Sequence, residues 1–488
     1  SVVAFVAWVS GMTSAAELPR VVLAFGQLLN VLVFFAVYCA AAALFRSRRV
    51  ALLAATIATL VSLFPAYYVS WGRYTQLCGL LLLPPLARAF WRLGRHPRWR
   101  EAVEVTVLAA GLVLIHMRVA IVFGVLAAML FALFAMQRRW RGMAWCAAAG
   151  AASLVIASPW LVQLVRTPQV RAILAPAAND RAQWETSNAA PDDLLWAPHN
   201  ALLYSLSTAG LLGLTPVRFP GSTRAIAIAW WVLLVILLQH KAKRRSVRRY
   251  DGWRLAIIAA WVVILALLIN LDRIGMPRLR ALPNSAAIIM LFLPISLATA
   301  HLARWVLDEV MVEVTRKRVV MTALTIVVAI VGAFAMLHIV NPVTVLATAA
   351  DRDALEWIHA NTPRDARFAV GVQPWIGGSY IGNDGGYWIP IVAERASLLP
   401  PGLYPWVMPQ PRVKAITREL TSWYDAQQSG DPAILTRLQN EGVTHVYFGA
   451  RNETPLRAVM AAVPGWTRVY ARKGAEVWSV TARRRAAR

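Results

Sequence analysis

Residues 118–136 read RVAIVFGVLAAMLFALFAM, one arginine followed by a run with no charge at all. About 20 apolar residues in a helix span the roughly 30 Å hydrocarbon core of a bilayer. Comparable runs lie on both sides of it, at roughly 18–45, 50–68, 75–91, 101–116, 142–165, 224–240, 253–270, 284–304 and 319–341, with a partial run at 1–10. Of the 488 residues 58% are hydrophobic and 15% charged. A soluble domain carries about 25% charged residues, so the chain reads as an integral membrane protein. The same numbers exclude disorder, collagen and a disulfide scaffold. Cys39, Cys78 and Cys146 all fall inside apolar runs and read as small core residues.

The net charge is +26, from 50 basic and 24 acidic residues. An excess of that size can signal nucleic acid, but its placement excludes that partner here. The bases stand in short clusters between apolar runs, as at Arg46–Arg49, Arg138–Arg141 and Lys241–Arg249. Basic residues concentrate in cytoplasmic loops, so these clusters mark the inner side. Loops at 11–17, 69–74, 116–118, 166–223, 271–283 and everything after 341 then lie outside. The segment Ala201–Thr215 must not cross if the sides are to alternate. As a helix it would reach roughly 22 Å, short of the hydrocarbon thickness. It is expected to be re-entrant or interfacial. The chain opens at Ser1 in mid-run, and further sequence is expected upstream of it.

The composition shifts near residue 345. Half of the chain's acids lie from residue 349 onward. There Asp351 is expected to cap a helix that ends at Asn361-Thr362-Pro363, and Phe368–Val372 reads as a strand. Gly382–Trp388 reads as a glycine-rich turn, Ala415–Gln428 and Pro432–Asn440 as helices, Val443–Phe448 as a buried strand, and Thr467–Tyr470 with Glu476–Val480 as a closing hairpin. The expected architecture is a polytopic α-helical membrane protein of about 10–11 transmembrane helices with a C-terminal extracytoplasmic α/β domain. Its domains are 1–345, the helical part with outer loop 166–223, and 346–488, the α/β tail.

Polar residues at the outer ends of spans are the first functional candidates, because burying them is costly. The segment Tyr67–Gln76 packs aromatics around Arg73, which offers a fork for a phosphate or, alternatively, snorkels from an aromatic belt. His116-Met117-Arg118 is a tight outer turn that flanks a phosphate or caps helix ends. Loop 166–200 carries Asp180, Arg181, Glu185, Asp192, Asp193 and His199. Its paired carboxylates suit a divalent metal or a general base, or simply cap helices and meet solvent. Asp272 and Arg273 read as a local pair. In the tail, Asp384, Tyr387 and Trp388 offer a carboxylate and stacking faces to a sugar, or belong to the tail's own core. No His-x-x-x-His, Cys-x-x-Cys, phosphate loop or Gly-x-Ser-x-Gly is present, and no residue is assigned as a metal ligand.

The outer Trp71-Gly72-Arg73-Tyr74-Thr75-Gln76, the outer His116-Met117-Arg118 and the tail segments Asp353–Ile358, Asn361–Pro363, Asp384–Trp388 and Gly442–Gly449 resemble bacterial membrane proteins of the glycosyltransferase C superfamily. The resemblance implies transfer of a sugar from a polyprenyl-phosphate carrier to an acceptor at the outer face of the cytoplasmic membrane, in the cell envelope. It also implies a catalytic acid in the first outer loop, which would lie upstream of Ser1; Glu185, Asp192 and Asp193 are the acidic candidates within the chain. Arg73, His116 and Arg118 are carried over as contacts to the carrier phosphate. The expected partners are the lipid bilayer and the lipid-linked sugar. Two other classes remain open: a transporter or lipid flippase, and a non-catalytic assembly or binding protein for cell-surface polysaccharide. Transport is disfavoured because the ionisable residues cluster at helix ends rather than at the midplane. The outer ends of several spans are expected to converge on one cavity, with the tail over it holding the acceptor.

Overall fold

The computed structural model describes residues 11, 17–62, 65–70, 72–166, 252–269, 271, 275–276, 281–282, 286–287, 289–337, 345–375 and 378–480. The apolar runs fold as helices: α1 Leu18–Phe45, α2 Arg48–Thr56, α3 Tyr74–Arg95, α4 Trp99–Ile115, α5 Met117–Met136, α6 Trp140–Arg166, α7 Gly252–Ile269, α8 Phe292–Val310 and α9 Val314–Met336. Among the described residues, five helices are long and apolar enough to cross a membrane: Arg20–Phe45, Tyr74–Arg95, Met117–Met136, Trp140–Arg166 and Val314–Phe334. The chain is a polytopic α-helical membrane protein with a C-terminal α/β domain. The expected segments 201–215 and 224–240, and the Lys241–Arg249 cluster, lie outside the described residues.

The helix ends follow local chemistry. Ser47 starts α2 by accepting the Val50 amide, and His116 starts α5 by accepting the Val119 amide at Nδ1. Beyond Thr56, α2 widens into a π-turn over Ile57–Val61, where the Thr59 hydroxyl donates to the Ala55 carbonyl. Pro84 and Pro85 are held inside α3; the membrane environment tolerates such breaks when neighbouring helices shelter the backbone. The run expected at 284–304 is helical at Ala286–Ala287 and over Phe292–Val310, with a turn at Ile289–Leu291 between them in which the Met290 amide donates to the Ala287 carbonyl.

Small residues set the close approaches between helices, as they do when packing rather than hydrophobicity drives association. A Cβ on Gly142 of α6 would strike the Gly94 carbonyl at the end of α3. A Cβ on Gly332 of α9 would lie 2.7 Å from the Leu60 carbonyl of the π-turn. The Trp261 indole of α7 donates to the Val122 carbonyl of α5.

Two compact units divide the chain: Leu23–Asn341, and Pro342–Arg488 together with Ser1–Val22. In the tail α10 spans Ala349–Asn361. Its N-cap is Thr348 rather than Asp351: the Thr348 hydroxyl and the Asp351 carboxylate form a capping box, so Asp351 stands one turn inside the helix. The strands are β1 Arg367–Ala369, β2 Val372–Pro374, β3 Tyr380–Gly382, β4 Ala396–Ser397, β5 His445–Phe448, β6 Trp466–Arg472 and β7 Ala475–Val480, with helices α11 Gln410–Ser429 and α12 Ala433–Asn440. The main sheet runs β4-β1-β5-β7-β6. β1 is parallel to β4 and β5, while β7 is antiparallel to β5 and β6. β2 and β3 form a separate hairpin. The four residues of β5 are all buried, as a central strand covered on both faces requires.

Within β5, His445 stacks on Phe368 at 4.8 Å and pairs its Nδ1 with the Thr444 hydroxyl at 2.8 Å. Burial lowers its pKa from 6.5 to about 4. Between those two values the unfolded chain binds a proton that the folded tail refuses. Stability should therefore fall as pH drops from 6.5 to 4, by up to about 3 kcal/mol. Urea-melt proteolysis of the tail across that range should show this slope flattened in His445→Phe. Parallel pH profiles for variant and wild type would contradict it.

Candidate functional site

Two spanning helices begin beside each other at one end of the helical unit. Arg73 precedes α3, and His116 precedes α5. They approach closely because α3 carries Gly79 where it meets α5; a Cβ there would already press at 3.1–3.2 Å on Val119 and His116. Arg73, Gln76 and Gly79 stand three residues apart, so they succeed one another turn by turn along neighbouring faces of α3.

The charges gather at the same place. Arg73 and Arg118 both act electrostatically on the His116 ring, and Arg73 acts on Arg118. The Arg118 Nε donates to the Ala281 carbonyl at 3.3 Å, which fixes the near side of its guanidinium. His116 Nδ1 is occupied as the acceptor of the Val119 amide at 3.4 Å, so the neutral ring carries its proton on Nε2. The starts of α3 and α5 add their own partial positive charge, which favours an anion at a helix N-terminus.

Gln76 completes the group and was not singled out by sequence reasoning. It is only 2% exposed, and its Nε2 has no hydrogen-bond partner among the described residues. A buried amide left in this state costs about 1–3 kcal/mol, which a ligand acceptor would recover. The signal for it was its position one turn after Arg73 inside an apolar run. The aromatics of the same segment have structural work: the Tyr68 hydroxyl donates to the Ile289 carbonyl, and the Tyr74 hydroxyl to the Val69 carbonyl. The Tyr74 ring also fills the space that a Cβ on Gly26 would occupy. They anchor the segment from which Arg73 projects.

The tail candidates have a different setting. Asp384 is 0% exposed, where an accessible turn was expected. Its Oδ1 accepts from the Gly386 amide at 2.9 Å, and its Oδ2 accepts from the Gly449 amide at 3.0 Å and from Asn452 Nδ2 at 2.8 Å. Beside it lies Asp351, also 0% exposed, whose Oδ1 accepts from the Tyr447 hydroxyl at 2.6 Å and the Ala450 amide at 3.0 Å. Burial raises the Asp384 pKa above the usual carboxylate value, and the Asp351 charge adds to the rise. The glycines of this turn are explained by these carboxylates. A Cβ on Gly449 would fall 2.6 Å from Asp384 Cβ, and one on Gly385 would crowd Asp351 at 2.5 Å. The Tyr387 hydroxyl accepts the Gly402 amide at 2.8 Å, and both Tyr387 and Trp388 pack against the tail's core.

Glu185, Asp192 and Asp193, with Asp180, Arg181, His199, Asp272 and Arg273, lie outside the described residues. Among the described residues no group of three or more His, Cys, Asp or Glu side chains is placed to hold a metal.

No family model matches the chain, and no curated protein matches it. Among solved structures, it is similar to the cryo-EM structure of arabinofuranosyltransferase AftD from mycobacteria, at 15% identity and a TM-score of 0.43. The match covers 94% of this chain and 35% of that one, so the chain spans about a third of that protein's length.

Proposed function

We propose that the chain is a membrane glycosyltransferase-like protein that takes a sugar from a polyprenyl-phosphate-linked donor and passes it to an acceptor at the outer membrane face. The observation that carries this reading is the meeting of Arg73, His116 and Arg118 at the starts of two adjacent helices, with the Gln76 amide, unpartnered among the described residues, one turn inside. Two guanidiniums and two helix starts concentrate positive potential at one end of an apolar bundle. A phosphate attached to a lipid tail matches both properties: its charge suits the cluster and its tail suits the hydrocarbon.

In the reaction, an acceptor hydroxyl attacks the anomeric carbon as the bond from that carbon to the phosphate oxygen breaks. The phosphate leaves with the bonding electrons, and the configuration inverts. Arg73 and Arg118 stabilise the charge that grows on the leaving phosphate. His116, proton on Nε2, donates to the same group. The acceptor's proton passes to a carboxylate, for which Glu185, Asp192 and Asp193 are the candidates within this chain. A flippase would use the same phosphate contacts without breaking the bond, so turnover of a radiolabelled lipid-phosphate sugar separates the two.

Binding of a polyprenyl monophosphate tests the site directly. Each charge-assisted hydrogen bond contributes about 1.5–3 kcal/mol, so Arg73→Ala with Arg118→Ala should weaken binding about 100-fold or more. Native mass spectrometry of the full chain in nanodiscs reads this. Undiminished binding by the double variant, at wild-type thermal stability, would remove the cluster from the donor site.

A further inference from the structure

We propose that the tail carries a bilayer-binding face, made of Trp375, Leu403 and Val407 and flanked by Arg412 and Lys414, whose partner is an anionic lipid surface. Leu403 is 62% exposed and Val407 73% exposed. Large exposed aliphatic side chains grouped on one surface mark a protein or membrane contact. Trp375, at the end of the β2–β3 hairpin, joins them: a Cβ on Gly402 would lie 3.7 Å from Trp375 Cζ3, and Leu403 is the next residue. Val407 follows one turn later in the short helix Tyr404–Val407.

The face is held firmly from beneath. Tyr404 is fully buried, and its hydroxyl accepts the Tyr380 amide at 3.2 Å and pairs with the Thr417 hydroxyl at 3.4 Å. The apolar residues therefore stay outside because the fold holds them there.

Charge selects the partner. Arg412, Lys414 and Arg418 are exposed and no acid lies between Leu403 and Arg418, whereas Arg395 is buried and bonded to the His359 and Thr362 carbonyls. Arg412 and Lys414 are exposed in the opening turns of α11, directly after the apolar group. A tryptophan with aliphatic neighbours and adjacent bases fits the headgroup boundary of an anionic bilayer. A carbohydrate would require donors and acceptors around the ring, and Leu403 and Val407 supply none. The chain itself brings such a surface near. Only 12 residues separate Met336, at the end of a membrane-crossing helix, from Ala349 at the start of α10. Fully extended they reach at most about 40 Å.

The test uses the full chain with Cys39, Cys78 and Cys146 replaced by alanine and one new cysteine carrying an environment-sensitive fluorophore. The labelled position is Val407→Cys, and the reference is Arg437→Cys on α12. In nanodiscs containing phosphatidylglycerol and a headgroup-depth quencher lipid, the probe at 407 should be quenched several-fold more than the probe at 437. Replacing phosphatidylglycerol by phosphatidylcholine should reverse most of that difference. Each basic residue near an anionic surface contributes about fivefold, so Arg412→Glu with Lys414→Glu should lower the docked population tenfold or more. Equal quenching at the two positions overturns the proposal. So does burial of the 407 probe that follows protein concentration instead of lipid charge, which would identify a second copy of the chain as the occupant.

Discussion

Asp384→Ala is expected to unfold the tail at markedly lower urea than wild type. Three donors lose their acceptor together: the Gly386 amide, the Gly449 amide and the Asn452 side chain. None of them can turn to water, since Asp384, Asn452 and the glycines around them are packed inside. At about 1–3 kcal/mol for each stranded donor, less the desolvation relieved by removing a buried carboxylate, the net loss is about 3–5 kcal/mol. Pulse proteolysis of the full-length protein in increasing urea measures it, because only the unfolded tail is cut. Had Asp384 stood in an open loop to receive an acceptor sugar, the same change would lower transfer and leave the urea midpoint in place. An unchanged midpoint would restore that reading.

Trp423→Ala is the second large effect. Trp423 is fully buried on α11, and its indole donates to the Val370 carbonyl at 2.7 Å, between β1 and β2. Truncation empties one of the largest volumes in the tail and strands that carbonyl. A buried tryptophan cut to alanine costs about 3–5 kcal/mol from lost contacts and cavity. Trp423→Phe should recover most of the packing while still lacking the hydrogen bond, so its midpoint should fall between those of Ala and wild type. Equal losses in Phe and Ala would place the energy in the hydrogen bond rather than in the volume.

Membrane insertion was written in the sequence because the bilayer imposes a length rule on apolar runs. Residues 118–136 satisfy it without reference to any other part of the chain. The tail's helices and strands were legible for a similar reason. Caps, turn residues and two-residue alternation are local, and His445–Phe448 and the β6–β7 hairpin follow from them. Interruptions of helices were less legible: the run from residue 284 gave no sign of the turn at Ile289–Leu291 that stands before α8.

What only the tertiary structure decided is which polar residues meet. Arg73 and His116 are 43 positions apart. Their neighbourhood depends on Gly79 admitting α5 against α3, and on the Tyr68 hydroxyl tying the preceding segment to Ile289. Gln76 stands at the end of the Trp71–Gln76 segment, and only the fold shows its amide buried with no partner among the described residues. Asp384 shows the converse. A carboxylate among glycines and aromatics reads locally as an exposed turn, and the residues that enclose it, Asp351, Gly449 and Asn452, come from distant points of the chain. Apolar length acts within one segment, so sequence alone reveals it; burial and charge pairing act between segments, and those exist only after the fold has chosen its neighbours.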